Sequence, residues 1–320
     1  MRLRSLAVQA ALLLAIAALA YAAAGNASEK LARQGIVAGF DFLGRVAGFD
    51  ISQRLVAYSA ATSTYAGAIL VGLLNTLLVS ALGIVLATIL GFTIGIARRG
   101  PNLLARWLAA AYVDLFRNLP LLLQLLVWYV AVRIALPDPQ HPASFAGAYL
   151  SQRGLYLPWI DPAGSPAVSW PQAGPYDIEG GLSILPEFAA LLLGLSTYTA
   201  AFIAEIVRAG LASVSAGQNA AALALGMTRA QALRSVVVPQ AMRVIVPPLT
   251  SQYLTLTKNS SLAVLIGYPD LVHVVMGTVL NQTNQAMEAV AITMAVYLTI
   301  SLATALAMNL YNRRIAPVER

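Results

Sequence analysis

Few residues in this chain are equipped for chemistry. There are two histidines, 13 acidic residues against 20 basic ones, and no cysteine. Neither His141 nor His273 has a companion at the spacing that metal ligands need, such as two histidines one helical turn apart. Both are expected to be loop residues rather than ligands. No cluster of acids, and no nucleophile beside a base, marks a catalytic centre. The glycine-rich phosphate loop closed by lysine and serine or threonine is absent, so the chain cannot hydrolyse ATP itself. Without cysteine, disulfides and thiolate chemistry are excluded. The sequence therefore offers no catalytic residue and no metal site.

Two charge pairs and a set of isolated polar residues remain. Glu205 with Arg208, and Asp114 with Arg117, stand at i and i+3, where they share a helix face. Both pairs read as structural or coupling elements. Asn75, Thr76, Gln124, Ser196, Thr197, Thr199, Gln252 and Thr255 are set among apolar residues, and Lys258 with Asn259 ends an apolar run. If such residues lie at membrane depth, they can partner a charged or polar group there, because unpaired charge in hydrocarbon costs several kcal/mol or more. Lys258 would meet an anionic group. The same residue types also serve to pack and hydrogen-bond membrane helices to one another, so each position carries both readings.

The elements that must position these groups follow from composition. Of 320 residues, 59% are hydrophobic and 10% charged, against about a quarter charged in soluble domains. Several runs approach or exceed the ~20 apolar residues that cross a bilayer. The expected fold is all-α and polytopic, with about six spans: Leu6–Ala24, Ala68–Ile96, Pro120–Leu136, Leu182–Ile206, Ala241–Leu256 and Ala289–Leu310. The first also has the basic start of a signal peptide, but at about 19 residues it exceeds the usual core of 7–15, so a retained helix is expected.

Between the spans, GFDFLGR and GFDIS (Gly39–Arg45, Gly48–Ser52) read as a pair of turns or short segments lying on the membrane. Leu103–Asn118, with Trp107, Ala111 and Leu115 spaced at four, suits an interfacial helix. Pro137–Gly181 reads as an outer loop rich in Pro, Gly, Asp and aromatics. Pro247-Pro248 must kink or interrupt the fifth span. Leu262–Val279, split by Gly267, Pro269 and Asp270, dips back or lies at the surface. The net charge of +7 comes from scattered basic residues that flank spans. Arg98, Arg99, Arg106, Arg229, Arg234, Arg313 and Arg314 place one set of loops, and both chain ends, in the cytoplasm. No basic run interleaved with aromatics suggests nucleic acid.

The stretch SAGQNAAALALGMTRAQALRSVVVPQ, Ser215–Gln240, then lies on the cytoplasmic side. Ala220–Leu225 are helix formers, Gly226 interrupts, and Thr228 caps a second helix from Arg229 to Val237. Pro239 ends this elbow and starts the next span. An elbow with little of its own to bury would be stabilised by docking into a partner.

This stretch resembles the cytoplasmic coupling loop of permease subunits in bacterial ABC importers. Ala220-Ala221-Ala222, Gly226, Val236 and Pro239 keep the intervals of that signature, accompanied by Gly217-Gln218 and Met227. AEIVRAG (Ala204–Gly210), VPQAMRVIVPPL (Val238–Leu249), LTKNSSLAVLIG (Leu256–Gly267), VGLLNTLLVS (Val71–Ser80) and FRNLPLLLQ (Phe116–Gln124) resemble the polar amino-acid branch. GFDFL, STYAGAILVGLLNT (Ser63–Thr76) and RGLYLP (Arg153–Pro158) are similar to the general L-amino-acid importers of Gram-negative bacteria.

The resemblance implies a type I importer permease fold in the cell inner membrane. Residues 1–65 would form an N-terminal helix and periplasmic loop, and 66–315 the permease core, with an insertion at 137–181 and a coupling loop at 211–239. It implies no cofactor on this chain, with ATP and Mg on a partner ATPase dimer. Further implied partners are a second permease subunit, a periplasmic amino-acid-binding protein and an L-amino acid. The family usually has glutamate where this chain has Ala220, which implies the less strongly coupled of two permeases. A secondary transporter or channel subunit is the rival reading. It would call for inverted repeats or midplane ion-coupling groups, and the sequence has no such symmetry.

Overall fold

In this computed structural model, residues 8–12, 14–16, 18–19, 21–22, 25–26, 39–160, 168–174 and 178–315 are described. The described residues of the first expected span are helical and exposed; the remainder of Leu6–Ala24 lies outside them.

The core is a helical bundle laid around one central helix. Helix α1 (Tyr65–Ala97) is capped by the Thr64 hydroxyl on the Gly67 N–H and runs out at Arg98. After the Gly100-Pro101 turn, the Asn102 side chain caps α2 (Leu103–Asn118). Leu119-Pro120 breaks the chain and α3 (Leu121–Ala135) leaves at 110°. Helix α4 (Pro186–Ser213) opens with proline in its first turn, where the missing N–H costs nothing. Helix α5 (Ala216–Ala224) and helix α6 (Arg229–Ala232) lead through a wide-turned π segment, Leu233–Val237, into α7 (Val238–Asn259). Helix α8 (Ala286–Ile315) closes the fold.

Three of these helices, Tyr65–Ala97, Pro186–Ser213 and Ala286–Asn312, are long and apolar enough to cross a membrane, and the bent α2–α3 pair makes a fourth if it is one broken span. Helix α3 alone is 15 residues, about 22 Å, short of the ~30 Å hydrocarbon layer. Along α2, Ala109 and Val113 face the protein, while Trp107, Ala111 and Leu115 face outward.

Helix α4 is the spine. Leu191, Leu195, Ile203 and Val207 are buried in a core shared with Val79 and Ala87 of α1, Leu125 of α3, and Ile245, Leu249 and Leu256 of α7. The close α1–α4 approach depends on glycine. A Cβ on Gly91 would stand 2.5 Å from a methyl carbon of Ile203, inside van der Waals contact, so no other residue fits without moving the helices apart.

The structure corrects several expectations. The outer insertion folds into strands β1 (Ala143–Phe145), β2 (Ala148–Ser151), β3 (Gly154–Leu157) and β4 (Leu182–Ile184), an antiparallel sheet in that order. Leu182–Ile184 pairs with β3, so the expected fourth span begins as a strand and turns helical only at Pro186. GFDFLGR contains a single 3-10 turn, Asp41–Gly44, while GFDIS is irregular rather than a second turn, and both bury side chains in the protein. Phe42 and Ile51 are buried against Tyr65, Ala68 and Val71 of α1 and against Val274 and Val279.

Pro247 and Pro248 do not interrupt α7. They sit on its exposed side, opposite buried Ile245, Val246 and Leu249, where the two carbonyls they leave unbonded do not face the core. Leu262–Val279 is not a surface segment. Tyr268, Asp270, Leu271 and Val275 are buried, and Asn75 and Thr76 of α1 bind its backbone.

Candidate functional site

The elbow between α4 and α7 is built by local signals. The chain turns extended at Val214, the Ser215 hydroxyl accepts from the Gly217 N–H, and α5 begins. Gly226 takes φ +81° with open space where a Cβ would stand. Only the left-handed backbone, not crowding, asks for glycine there. Thr228 and Gln231 then form a reciprocal capping box. The Thr228 N–H donates to Gln231 Oε1 (2.8 Å) and the Gln231 N–H donates to Thr228 Oγ1 (3.3 Å).

Pro239 stands where the sequence expected the next span to start, but without a break in the chain before it. The helical path runs unbroken from Arg229 through the π segment into α7, with Pro239 in that helix's first turn. Gln240 Nε2 donates to Gln218 Oε1 at 3.4 Å, tying the two legs.

The elbow presents almost all of its surface. Ala222 and Ala232 are buried and Met227 and Val236 half-buried, while Gly217, Ala220, Ala221, Gly226 and Pro239 are exposed. Leu225, beside the glycine, is 85% exposed, and Leu233 is exposed as well. With Leu223 also exposed, three leucines on a small, compact projection are a surface suited to a partner.

Behind the elbow stands an ionic clamp. Glu205 accepts from Arg208 Nε at 3.1 and 3.0 Å, and its other neighbour is Arg98 at the end of α1, 107 residues away in sequence. The i, i+3 pair was legible; Arg98 was not. The second expected pair does not form. Arg117 turns its guanidinium over the Phe202 ring of α4, 5.3 Å from the centroid, and Asp114 makes no ion pair among the described residues. The planar cation is better placed on the ring of a packed helix than beside an exposed carboxylate.

The polar residues divide into two sets. In the first, side chains are occupied by the protein. Asn75 Nδ2 donates to the carbonyls of Gln53 and Pro269. Thr76 Oγ1 donates to the Gly72 carbonyl and accepts from the Leu271 N–H. Gln124 Nε2 donates to the carbonyls of Phe116 and Leu119 across the α2–α3 break. Thr197 donates to the Leu193 carbonyl and accepts from Trp128 Nε1. Ser196 and Thr199 are also buried on α4, but the Ser196 hydroxyl has no hydrogen-bond partner among the described residues.

The second set is Gln252, Thr255, Lys258 and Asn259 of α7. They are half-buried or exposed, and none has a side-chain hydrogen bond or ion pair among the described residues. At 100° per residue all four fall in an arc of about 120°. His141 is exposed in a turn, and His273, expected in a loop, lies in the first turn of a helical segment that begins at Leu271, with its N–H on Asp270 Oδ1. No group of three metal-ligating residues occurs among the described residues.

Residues 83–317 match the family described as binding-protein-dependent transport system inner membrane component. The chain belongs to that family. The YhdX permease protein of Escherichia coli is 46% identical over 92% of this chain and 90% of its own length. The general L-amino acid transport system permease protein AapQ of Rhizobium johnstonii is 43% identical over 93% of this chain and 88% of its own. Among solved structures, an amino acid ABC transporter crystallised with histidines superposes with a TM-score of 0.58 at 26% identity, over 78% of this chain and 95% of that one.

This inner membrane component is therefore a multi-pass, mostly helical protein with the fold of importer permeases. The family match begins within α1 and runs through the clamp, the elbow and α7. Sequence reasoning missed Arg98 and Leu225. Arg98 was read only as a topology marker, and an exposed leucine is recognisable as unusual only once the elbow is folded around it.

Proposed function

We propose that the chain is the transmembrane permease subunit of an ATP-driven importer. In this reading it carries L-amino acids from a periplasmic binding protein to the cytoplasm. A separate ATPase pair drives it through the 211–239 loop. The observation that carries this reading is the elbow itself: a capped two-helix projection with Leu225 and Leu233 uncovered, joined at both ends to core helices α4 and α7. ATP and Mg belong to the ATPase. Closure of that partner would press on the elbow and re-aim the two helices.

The α7 face bearing Gln252, Thr255, Lys258 and Asn259 is our candidate for the pathway. A polar face cannot be left against lipid, so it is covered by a second permease subunit or by the solute route between the two. Lys258 supplies the cation for a substrate carboxylate. Asn75, Thr76, Gln124 and Thr197 act as structural ties, since each donates a hydrogen bond within the chain.

A pull-down of the tagged chain from membranes in mild detergent should bring a sister permease, an ATPase and a solute-binding protein. The complex, reconstituted in liposomes, should hydrolyse ATP faster when the binding protein is loaded with an L-amino acid. Uptake by the purified chain alone, without ATPase, would falsify the proposal in favour of secondary transport.

A further inference from the structure

Arg98 sits one residue beyond the end of α1, with its guanidinium on the Glu205 carboxylate of α4. Arg208 holds the same carboxylate from the next turn of α4. Arg98 is the more enclosed of the two, its side chain 16% exposed against 37% for Arg208. A single carboxylate thus takes two guanidiniums, one local and one from a helix that has just ended.

The place of this clamp in the fold gives it a task. Beside it, α1 and α4 are in contact through Gly91 and Gly95, with Ile203, Ala204 and Val207 pressed against them. Just past it α1 stops, while α4 continues to Ser213, eight residues or about 12 Å beyond Glu205, with Gly210 packed on Ile245 and Ala241 of α7. That length leads through Val214 straight into the elbow. The clamp is therefore the ion pair that joins the very end of α1 to α4 before the lever that the elbow would pull. Arg208 alone cannot serve this purpose, because it is on the same helix as Glu205.

We infer that Arg98 is a positioning residue for coupling. It makes α1 move with α4, so that displacement of the elbow is passed to the bundle instead of being spent in bending the end of α4. The inference rests on the permease reading above. It assigns to Arg98 an energetic link between two sites, typically 1–3 kcal/mol or roughly 5–150-fold in effect, rather than contact with solute or nucleotide.

The test uses the whole reconstituted importer and reads amino acid taken up per ATP hydrolysed. If the wild-type complex shows no amino-acid-stimulated hydrolysis, the functional reading itself fails. With a working wild type, Arg98→Ala should lower uptake per ATP by about fivefold or more, with KM for the loaded binding protein and the rate of ATP hydrolysis little changed. Arg98→Lys, which restores a cation, should recover most of the ratio. An unchanged ratio in Arg98→Ala, or loss in the Lys variant equal to that in the Ala variant, overturns the inference. If Arg98→Ala does not assemble, Arg98→Gln takes its place with the same criteria. Failure of both to assemble makes Arg98 a folding residue and also overturns it.

Discussion

Gly95 of α1 meets Val207 of α4 with no room for a side chain: a Cβ there would lie 2.7 Å from the Val207 Cβ and 2.7 Å from the Ala204 carbonyl oxygen. Both neighbours are fixed, one a branched Cβ and one backbone, so neither can swing aside. Gly95→Val should force α1 off α4 at a cost of about 1–3 kcal/mol. The check is thermal unfolding of the purified chain in detergent, which should fall by several degrees. Gly100→Ala, whose Cβ would come no closer than 3.3 Å, should shift it much less. Equal effects would refute the packing argument.

Gly226 differs in kind, because nothing lies near its missing side chain and only φ +81° restricts it. Gly226→Ala should cost about 1–2 kcal/mol through backbone strain, while Gly226→Asn, which tolerates that conformation, should be much milder. Stimulated ATP hydrolysis in the assembled complex would rank the three residues Gly, Asn, Ala. A ranking with Ala above Asn would rule out a left-handed turn as the reason for glycine.

Ala220 is exposed on α5, at the position where the signature usually carries glutamate. A carboxylate there loses no hydration in the free chain and would gain an exposed ion pair with the ATPase, a contact worth up to about 1 kcal/mol. Ala220→Glu should therefore raise coupled ATP hydrolysis by no more than about fivefold without altering the order of preferred amino acids. A changed preference would place the residue elsewhere in the mechanism.

Thr76 and Lys258 separate structural from solute-facing polarity. Thr76→Val removes a buried acceptor from the Leu271 N–H and should destabilise the protein by about 1–3 kcal/mol, leaving the KM for uptake unaltered. Lys258→Met removes an exposed cation that has no ion pair among the described residues. It should leave unfolding temperature within about a degree and raise KM for uptake. The reverse pattern would exchange their roles.

Much of this molecule is local and was readable as such. The bounds of α2, Leu103–Asn118, coincide with expectation because Asn102 caps one end and Leu119-Pro120 stops the other, all within a few residues. Gly226 and Thr228 speak for themselves in the same way. What could not be read depends on distance. Asn75 looks like a pathway residue until Pro269, 194 positions later, is found beside it. Arg98 looks like a topology marker until it reaches Glu205. The insertion was read as a loop because its strands run to three or four residues, too short for alternation to rise above noise.

One connection described above reaches across the whole thickness of the protein. Strand β4 of the outer sheet ends at Ile184, and only Leu185 separates it from α4, whose 28 residues end two short of the elbow helix. Sheet and elbow are thus joined through one helical rod, α4, of about 42 Å. Binding free energies at its two ends are reciprocal by thermodynamic necessity. On the proposed function, whatever the outer sheet gripped in one orientation of the rod, and released in another, would be felt as tighter or looser ATPase binding by the same factor. The energy that drives import and the signal that solute has arrived would travel one piece of backbone in opposite directions.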